Sequence, residues 1–142
     1  MADADLPLLA QKTFNSQSSE LQAIRQLVRE LMEQQGCTEK ICNDAIMAVN
    51  EACMNIIQHA YCGEPDGKII IEILKDNNYI VFRLTDFGPP VDKRKCKSRD
   101  LDKVRPGGLG IHLIQSLMDE MEFVEPPPAN GNILELRKNI SG

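Results

Sequence analysis

No apolar run in this 142-residue sequence approaches the ~18 residues that a membrane-spanning helix needs, and Met1 to Leu9 carries acids where a secretory leader would carry lysine or arginine. A cytoplasmic location away from membranes is therefore expected. A Cys-x-x-Cys pair is also absent. The five cysteines (Cys37, Cys42, Cys53, Cys62 and Cys96) are odd in number and the two histidines, His59 and His112, lie far apart, so neither a disulfide framework nor a zinc site follows. Reduced thiols used as small packing residues are expected at all five positions. The chain lacks net positive charge as well. A balance of -5 argues against non-specific attraction to nucleic acid or an anionic membrane, so any anion site must be local. Lys93, Arg94, Lys95, Lys97, Arg99, Lys103 and Arg105 outweigh three aspartates between Pro89 and Pro106, but no aromatics are interleaved there for base stacking. Direct nucleic-acid binding ranks last among the readings. With 42% hydrophobic residues the chain suits a single domain over 1–142, since domains commonly run to ~100–150 residues.

Leu6 to Phe14 reads as an edge strand, followed by the cap-rich Asn15-Ser16-Gln17-Ser18-Ser19. Leu21, Ile24, Leu27, Val28 and Leu31 then repeat at three-and-four spacing up to Gly36, which predicts an amphipathic helix. Thr38 and Glu39 open a second helical pattern that runs to about Tyr61. Lys68 to Leu74 and Tyr79 to Leu84 alternate as strands around Lys75-Asp76-Asn77-Asn78, a hairpin connection. After the basic loop, Gly107 to Glu120 predicts a third helix. Strands near Met121 to Val124 and Ile133 to Arg137 flank a turn at Pro126-Pro127-Pro128-Ala129-Asn130-Gly131. Helices cluster early and strands late, so the pattern predicts an α+β two-layer sandwich with a mostly antiparallel sheet.

Three segments carry chemistry. On the second helix Ala45, Val49, Ala52, Ile56 and Ala60 form an apolar stripe, and Glu51, Asn55 and His59 stack along its edge. A carboxylate and a carboxamide one turn apart suit proton abstraction and oxygen coordination of magnesium, which keeps waters and needs few protein ligands. Alone, such a pair also fits a solvated helix face. Next, Thr85-Asp86-Phe87-Gly88-Pro89 ends a strand; its carboxylate can accept a hydrogen bond from an exocyclic amine, though an ordinary Asp-x-Gly turn has the same composition. Third, Arg105-Pro106-Gly107-Gly108-Leu109-Gly110-Ile111 leads glycines into a helix, where free amides and the helix dipole favour phosphate. It is neither a dinucleotide fingerprint nor a Walker A loop.

In this order and spacing the segments resemble the N box (50–61), G1 box (86–90) and G2 box (107–111) of the Bergerat ATPases, with a lid loop at 89–106. Asn50-Glu51-Ala52-Cys53-Met54-Asn55-Ile56-Ile57-Gln58-His59-Ala60-Tyr61 is similar to the version found in anti-sigma-factor serine kinases, and the resemblance covers nearly the whole chain. It implies the Bergerat fold, a mixed, mostly antiparallel sheet covered by three helices. It further implies Glu51 as general base, Asn55 as magnesium ligand, Asp86 as adenine contact, and Gly88, Gly108, Leu109 and Gly110 as nucleotide-binding positions. Arg105 is a further phosphate candidate, while His59 is expected to pack or hydrogen-bond at the helix end. ATP and Mg2+ are the implied cofactors, and an anti-anti-sigma substrate, a sigma factor and a second copy of the chain the implied partners. Pro90 stands where many relatives have a second glycine. Two functions stay open: phosphotransfer to serine or threonine, and a nucleotide-gated binding module that transfers nothing.

Overall fold

Thr38 begins the central helix, its Oγ1 accepting a hydrogen bond from the amide of Ile41 at 3.2 Å, and the chain reaches it through Gly36, whose φ of +78° suits glycine. The computed structural model describes residues 6–88, 106–124 and 131–141, with the side chains of 106–110 left aside. The lid loop, including Pro89, Pro90 and Arg105, and the 126–130 turn lie outside the described residues. The elements are β1 (Leu8–Asn15), a 3-10 turn (Ser18–Glu20), α1 (Leu21–Gln34), α2 (Glu39–Asn55), a π-helical turn (Ile56–Ala60), β2 (Lys68–Asp76), β3 (Tyr79–Asp86), α3 (Pro106–Leu117), β4 (Glu120–Phe123) and β5 (Asn132–Asn139).

The sheet runs in the order β1-β2-β3-β5-β4, and every described pair is antiparallel, in line with the expected α+β sandwich on a mostly antiparallel sheet, with no parallel pair among the described strands. The β2–β3 hairpin closes through Asn77 at φ +56°, a left-handed conformation that asparagine tolerates. Strand alternation sends Ile69, Ile71 and Ile73, Ile80, Phe82 and Leu84, and Leu134 and Leu136 into one core with the helices. Each isoleucine or leucine so buried stabilises the fold by about 1.5–3 kcal/mol. From α1 come Leu21, Ile24, Val28, Leu31 and Met32, and from α2 Cys42, Ala45, Ile46, Ala48, Val49, Ala52 and Cys53. The small residues on α2 let it pack closely between α1 and α3, both of which it touches.

The opposite sheet face carries ion pairs beside the buried Leu74 and Val81. Arg83 pairs with Glu135 at 3.0 Å, and Arg137 with Asp76 at 2.8 Å, over the fully buried Val81. At one end of the helix layer, Lys138 Nζ donates to the Leu117 carbonyl at 2.6 Å and pairs with Asp44 at 3.3 Å, fastening the end of α3 to β5 and α2. Burial pushes the Asp44 carboxyl up, but hydrogen bonds from Lys40 and Lys138 outweigh it and hold the group below its ordinary range. No helix among the described residues is long and apolar enough to cross a membrane.

The thiols depart from expectation at one place. Cys37, Cys42 and Cys53 are free, and burial pushes the Cys53 thiol up to about 12, so it acts as an inert packing group. Cys62, however, is disulfide-bonded, and the expectation of a reduced thiol fails there. Cys96 lies outside the described residues.

Phe82 is fully buried at the middle of β3, so Phe82→Ala should lower stability by about 3–5 kcal/mol through lost transfer energy and the cavity left behind. Urea denaturation checks this; a loss under ~1 kcal/mol would mean that the helices collapse onto the vacated space.

Candidate functional site

Two of the three chemistry-bearing segments meet at one end of the sheet, where the turn after β3 touches the π-helical turn that follows α2, and α3, which opens with the third, packs against α2. Glu51 and Asn55, one turn apart on α2, are each half-buried, and among the described residues neither side chain makes a hydrogen bond. Beyond Asn55 the helix widens. The Tyr61 amide donates to the Ile56 carbonyl at 3.2 Å, a five-residue step, so 56–60 form a π-helical turn. His59 therefore does not stack over Asn55 as four-residue spacing predicts. It sits half-buried on the wider turn, and the row of three reduces to Glu51 and Asn55.

Asp86, the last residue of β3, is only 6% exposed. Its Oδ1 accepts two hydrogen bonds, from the Gly88 amide and from Asn132 Nδ2 on β5, both at 3.1 Å. Among the described residues no donor reaches Oδ2, which keeps its capacity to accept. Burial pushes the carboxyl above its ordinary range, opposed by the bonds from Asn132 and Gly88. Gly88 is also a packing necessity: a Cβ there would strike the carbonyl of Ala60. The strand end and the helix end thus meet backbone to backbone.

Tyr61 joins the same corner. Its hydroxyl accepts from the Phe87 amide at 2.7 Å and donates to the Lys68 carbonyl at 2.6 Å, and burial raises its phenol, which keeps it protonated at neutral pH. Gly131 lies against the Asp86 carbonyl, where a Cβ would not fit. Sequence reasoning assigned no role at the site to Tyr61, Gly131 or Asn132. Tyr61 stands within the quoted N-box motif, and Gly131 was legible only as a turn. Asn132 is 46 residues from Asp86 and carries no local signal.

The third helix begins at Pro106, one residue earlier than the glycines predict. The first four N–H groups of a helix have no partner within it, and proline has none to offer, so Gly107 and Gly108 present theirs at the helix start. Leu109 and Gly110 lie further along the helix, with Gly110 inside the hydrogen-bonded ladder. That position suits glycine's missing side chain and does not suit an amide donor. Arg105 lies outside the described residues. An open cavity of about 490 Å³ lies on the other flank of α2, lined by residues such as Ser16, Ser19, Met54 and Gln58, and includes none of the predicted site residues.

A family model described as histidine kinase-like ATPase domain matches residues 14–138. Serine-protein kinase RsbW of Staphylococcus aureus is 36% identical over 115 residues, covering 73% of this chain and 71% of that protein. Serine-protein kinase RsbW of Listeria monocytogenes serotype 4a (strain HCC23) is 33% identical over 96 residues, or 62% of this chain. That match spans 61% of the Listeria protein's length. Among solved structures, the RsbU and RsbW domains of a Mycobacterium tuberculosis protein share the fold, with a TM-score of 0.66 at 16% identity over 92% of this chain and 31% of that one.

A carboxyl raised by burial opposes folding in its charged form. Its contribution to stability is whole below the unfolded-state value near 4 and is lost as pH rises through the raised native value. Asp86→Asn keeps the shape and the acceptor oxygen but carries no charge. The ligand-free variant should therefore melt at or above the parent's temperature near pH 7, with the gap closing towards pH ~4. Thermal unfolding across that interval is the measurement, and a variant markedly less stable at pH ~7 would give the carboxylate a structural role instead.

Proposed function

Since the chain belongs to the histidine kinase-like ATPase domain family, we propose that it binds ATP at the corner formed by α2, the end of β3 and the start of α3, and transfers the γ-phosphoryl group to a serine or threonine of a partner protein. The observation that carries the reading is Asp86: a buried carboxylate, one oxygen held by two donors, which leaves the other for a base's exocyclic amine. Such a burial is unfavourable without a ligand and understandable with one. The amides at the start of α3 lie on a helix packed against α2, which is where phosphates would end if adenine sits at Asp86.

Asn55 offers a hard carboxamide oxygen, and among the described residues no cluster of three or more His, Cys, Asp or Glu could hold a metal ion. That donor set fits magnesium, which arrives on nucleotide phosphates, keeps waters and would neutralise phosphate charge when bound. Glu51, one helical turn away, is proposed as the general base. It accepts the hydroxyl proton as the new P–O bond forms to the serine or threonine oxygen; the bond to the bridging oxygen breaks and ADP leaves. Gly108, Leu109 and Gly110 are proposed to let the phosphates approach the helix start, with Arg105 adding charge. An anti-anti-sigma protein is the proposed substrate, and a sigma factor and a second copy of the chain the further proposed partners.

Glu51→Gln keeps size and helix propensity but cannot take a proton at neutral pH. ATP affinity should survive, while phosphorylation of the partner slows by roughly 10²–10⁴-fold. Quantitative mass spectrometry of the partner, beside an ATP-dependent pull-down, decides. Phosphotransfer at the parent's rate would remove Glu51 as base. ATP-dependent capture with no phosphoserine or phosphothreonine from either protein would leave a nucleotide-gated binding module. Asn55→Ala should weaken binding of magnesium-ATP more than that of metal-free ATP; calorimetry giving equal losses would contradict a ligand role.

A further inference from the structure

Tyr61 stands where three backbone segments meet. Its hydroxyl bridges the Phe87 amide (2.7 Å) and the Lys68 carbonyl (2.6 Å), one residue past β3 and at the first residue of β2. Its own amide closes the π-helical turn on Ile56 at 3.2 Å. The ring lies directly on Gly67, where a Cβ would come within 2.5 Å of three ring carbons. Gly67 is held in turn by the buried Ser16, whose Oγ accepts from its amide at 2.9 Å and donates to the Glu64 carbonyl at 2.5 Å. The phenol is therefore set from both sides, by packing and by two hydrogen bonds.

We infer that Tyr61 is a positioning residue for adenine recognition: through the Phe87 amide it fixes the 86–88 turn against the end of the helix that carries Glu51 and Asn55. The inference rests on the proposed role of Asp86. The Phe87 amide lies between the two residues that matter. The Phe87 N–H shares its peptide plane with the Asp86 carbonyl, so holding it restrains the backbone at Asp86, while the next amide, that of Gly88, donates to Asp86 Oδ1. Asn132 donates to the same oxygen, so the carboxylate is held by one bond from β5 and one from the turn that Tyr61 anchors. The π-helical turn makes this possible by bringing Tyr61 under the turn while Asn55 stays on the α-helical part. Tyr61 touches neither base nor phosphate. It keeps the adenine end and the metal end of one site in register.

The test separates base from phosphate. Calorimetry on the full chain compares magnesium-ATP with magnesium-tripolyphosphate, which has the phosphates and no base, for the parent, Tyr61→Phe, Gly67→Ala and Asp86→Asn. Tyr61→Phe removes one oxygen, and its ATP affinity should fall roughly 3- to 10-fold, the span of one net hydrogen bond, with tripolyphosphate affinity unchanged. Gly67→Ala keeps the hydroxyl but displaces the ring, at a residue whose φ is not in the left-handed region, and should give the same base-selective loss. It also serves if Tyr61→Phe folds poorly. Equal losses for both ligands, or ATP affinity at the parent's level in both variants, would overturn the inference. Asp86→Asn tells which reading has failed: if it loses ATP and the Tyr61 and Gly67 variants do not, Tyr61 alone is misassigned. If Asp86→Asn binds ATP as the parent does, the adenine reading of Asp86 falls and the inference with it.

Discussion

The contact between Gly88 and the Ala60 carbonyl is the constraint on which the site depends. A helix resting on a sheet through ordinary side chains stands about 10 Å away from it, too far for a turn at a strand end to share a small ligand's surface with the helix's own residues. Glycine at 88 brings them together here: with no Cβ, the strand end meets the Ala60 carbonyl just beyond α2 directly. A side chain at 88 would push the strand end away from the helix end, and Asp86 would lose its spatial relation to Asn55 and Glu51.

Much of the fold was legible because it depends on local periodicity. The spacing of Leu21, Ile24, Val28 and Leu31 gave α1, the Thr38 cap gave the start of α2, and alternation gave β2 and β3 with their hairpin at Asn77. The boundaries of the first strand and of the third helix moved by one to three residues, as element ends commonly do. What was not legible is non-local. The π-helical turn has the composition of ordinary helix, and its wider ring shows only in the hydrogen bond from Tyr61 to Ile56. The antiparallel pairing of β5 with both β3 and β4 is a matter of topology, which the strand patterns alone leave open.

The candidate site divided in the same way. Glu51, Asn55, Asp86 and Gly88 could be picked out because they stand in compact motifs. Tyr61, Asn132 and Gly131 act on those residues from a distance along the chain: 26 residues from Tyr61 to Phe87 and 46 from Asn132 to Asp86. No spacing rule connects them. The cysteines make a related point, since counting and spacing pointed to reduced thiols throughout, yet bonding at Cys62 is decided by what the folded chain brings near it.

The two ends of the helix layer differ in how their polar groups are used. Around Lys138 a cation meets a carboxylate and the last carbonyl of α3, so charge and helix dipole satisfy each other within the protein. At the Asp86 end the arrangement runs the other way. Among the described residues the buried Asp86 carboxylate has donors on one oxygen alone, and α3 starts with glycines, one of which, Gly110, lies in the hydrogen-bonded ladder where glycine costs about 1 kcal/mol relative to alanine. Unfavourable choices gathered at that corner are in keeping with the proposed nucleotide site there. A ligand at 100 times its dissociation constant stabilises the bound fold by about 2.7 kcal/mol, enough to offset terms of this size. The corner is thus weakest when empty, and the Lys138 end and the Phe82 core hold the fold in that state.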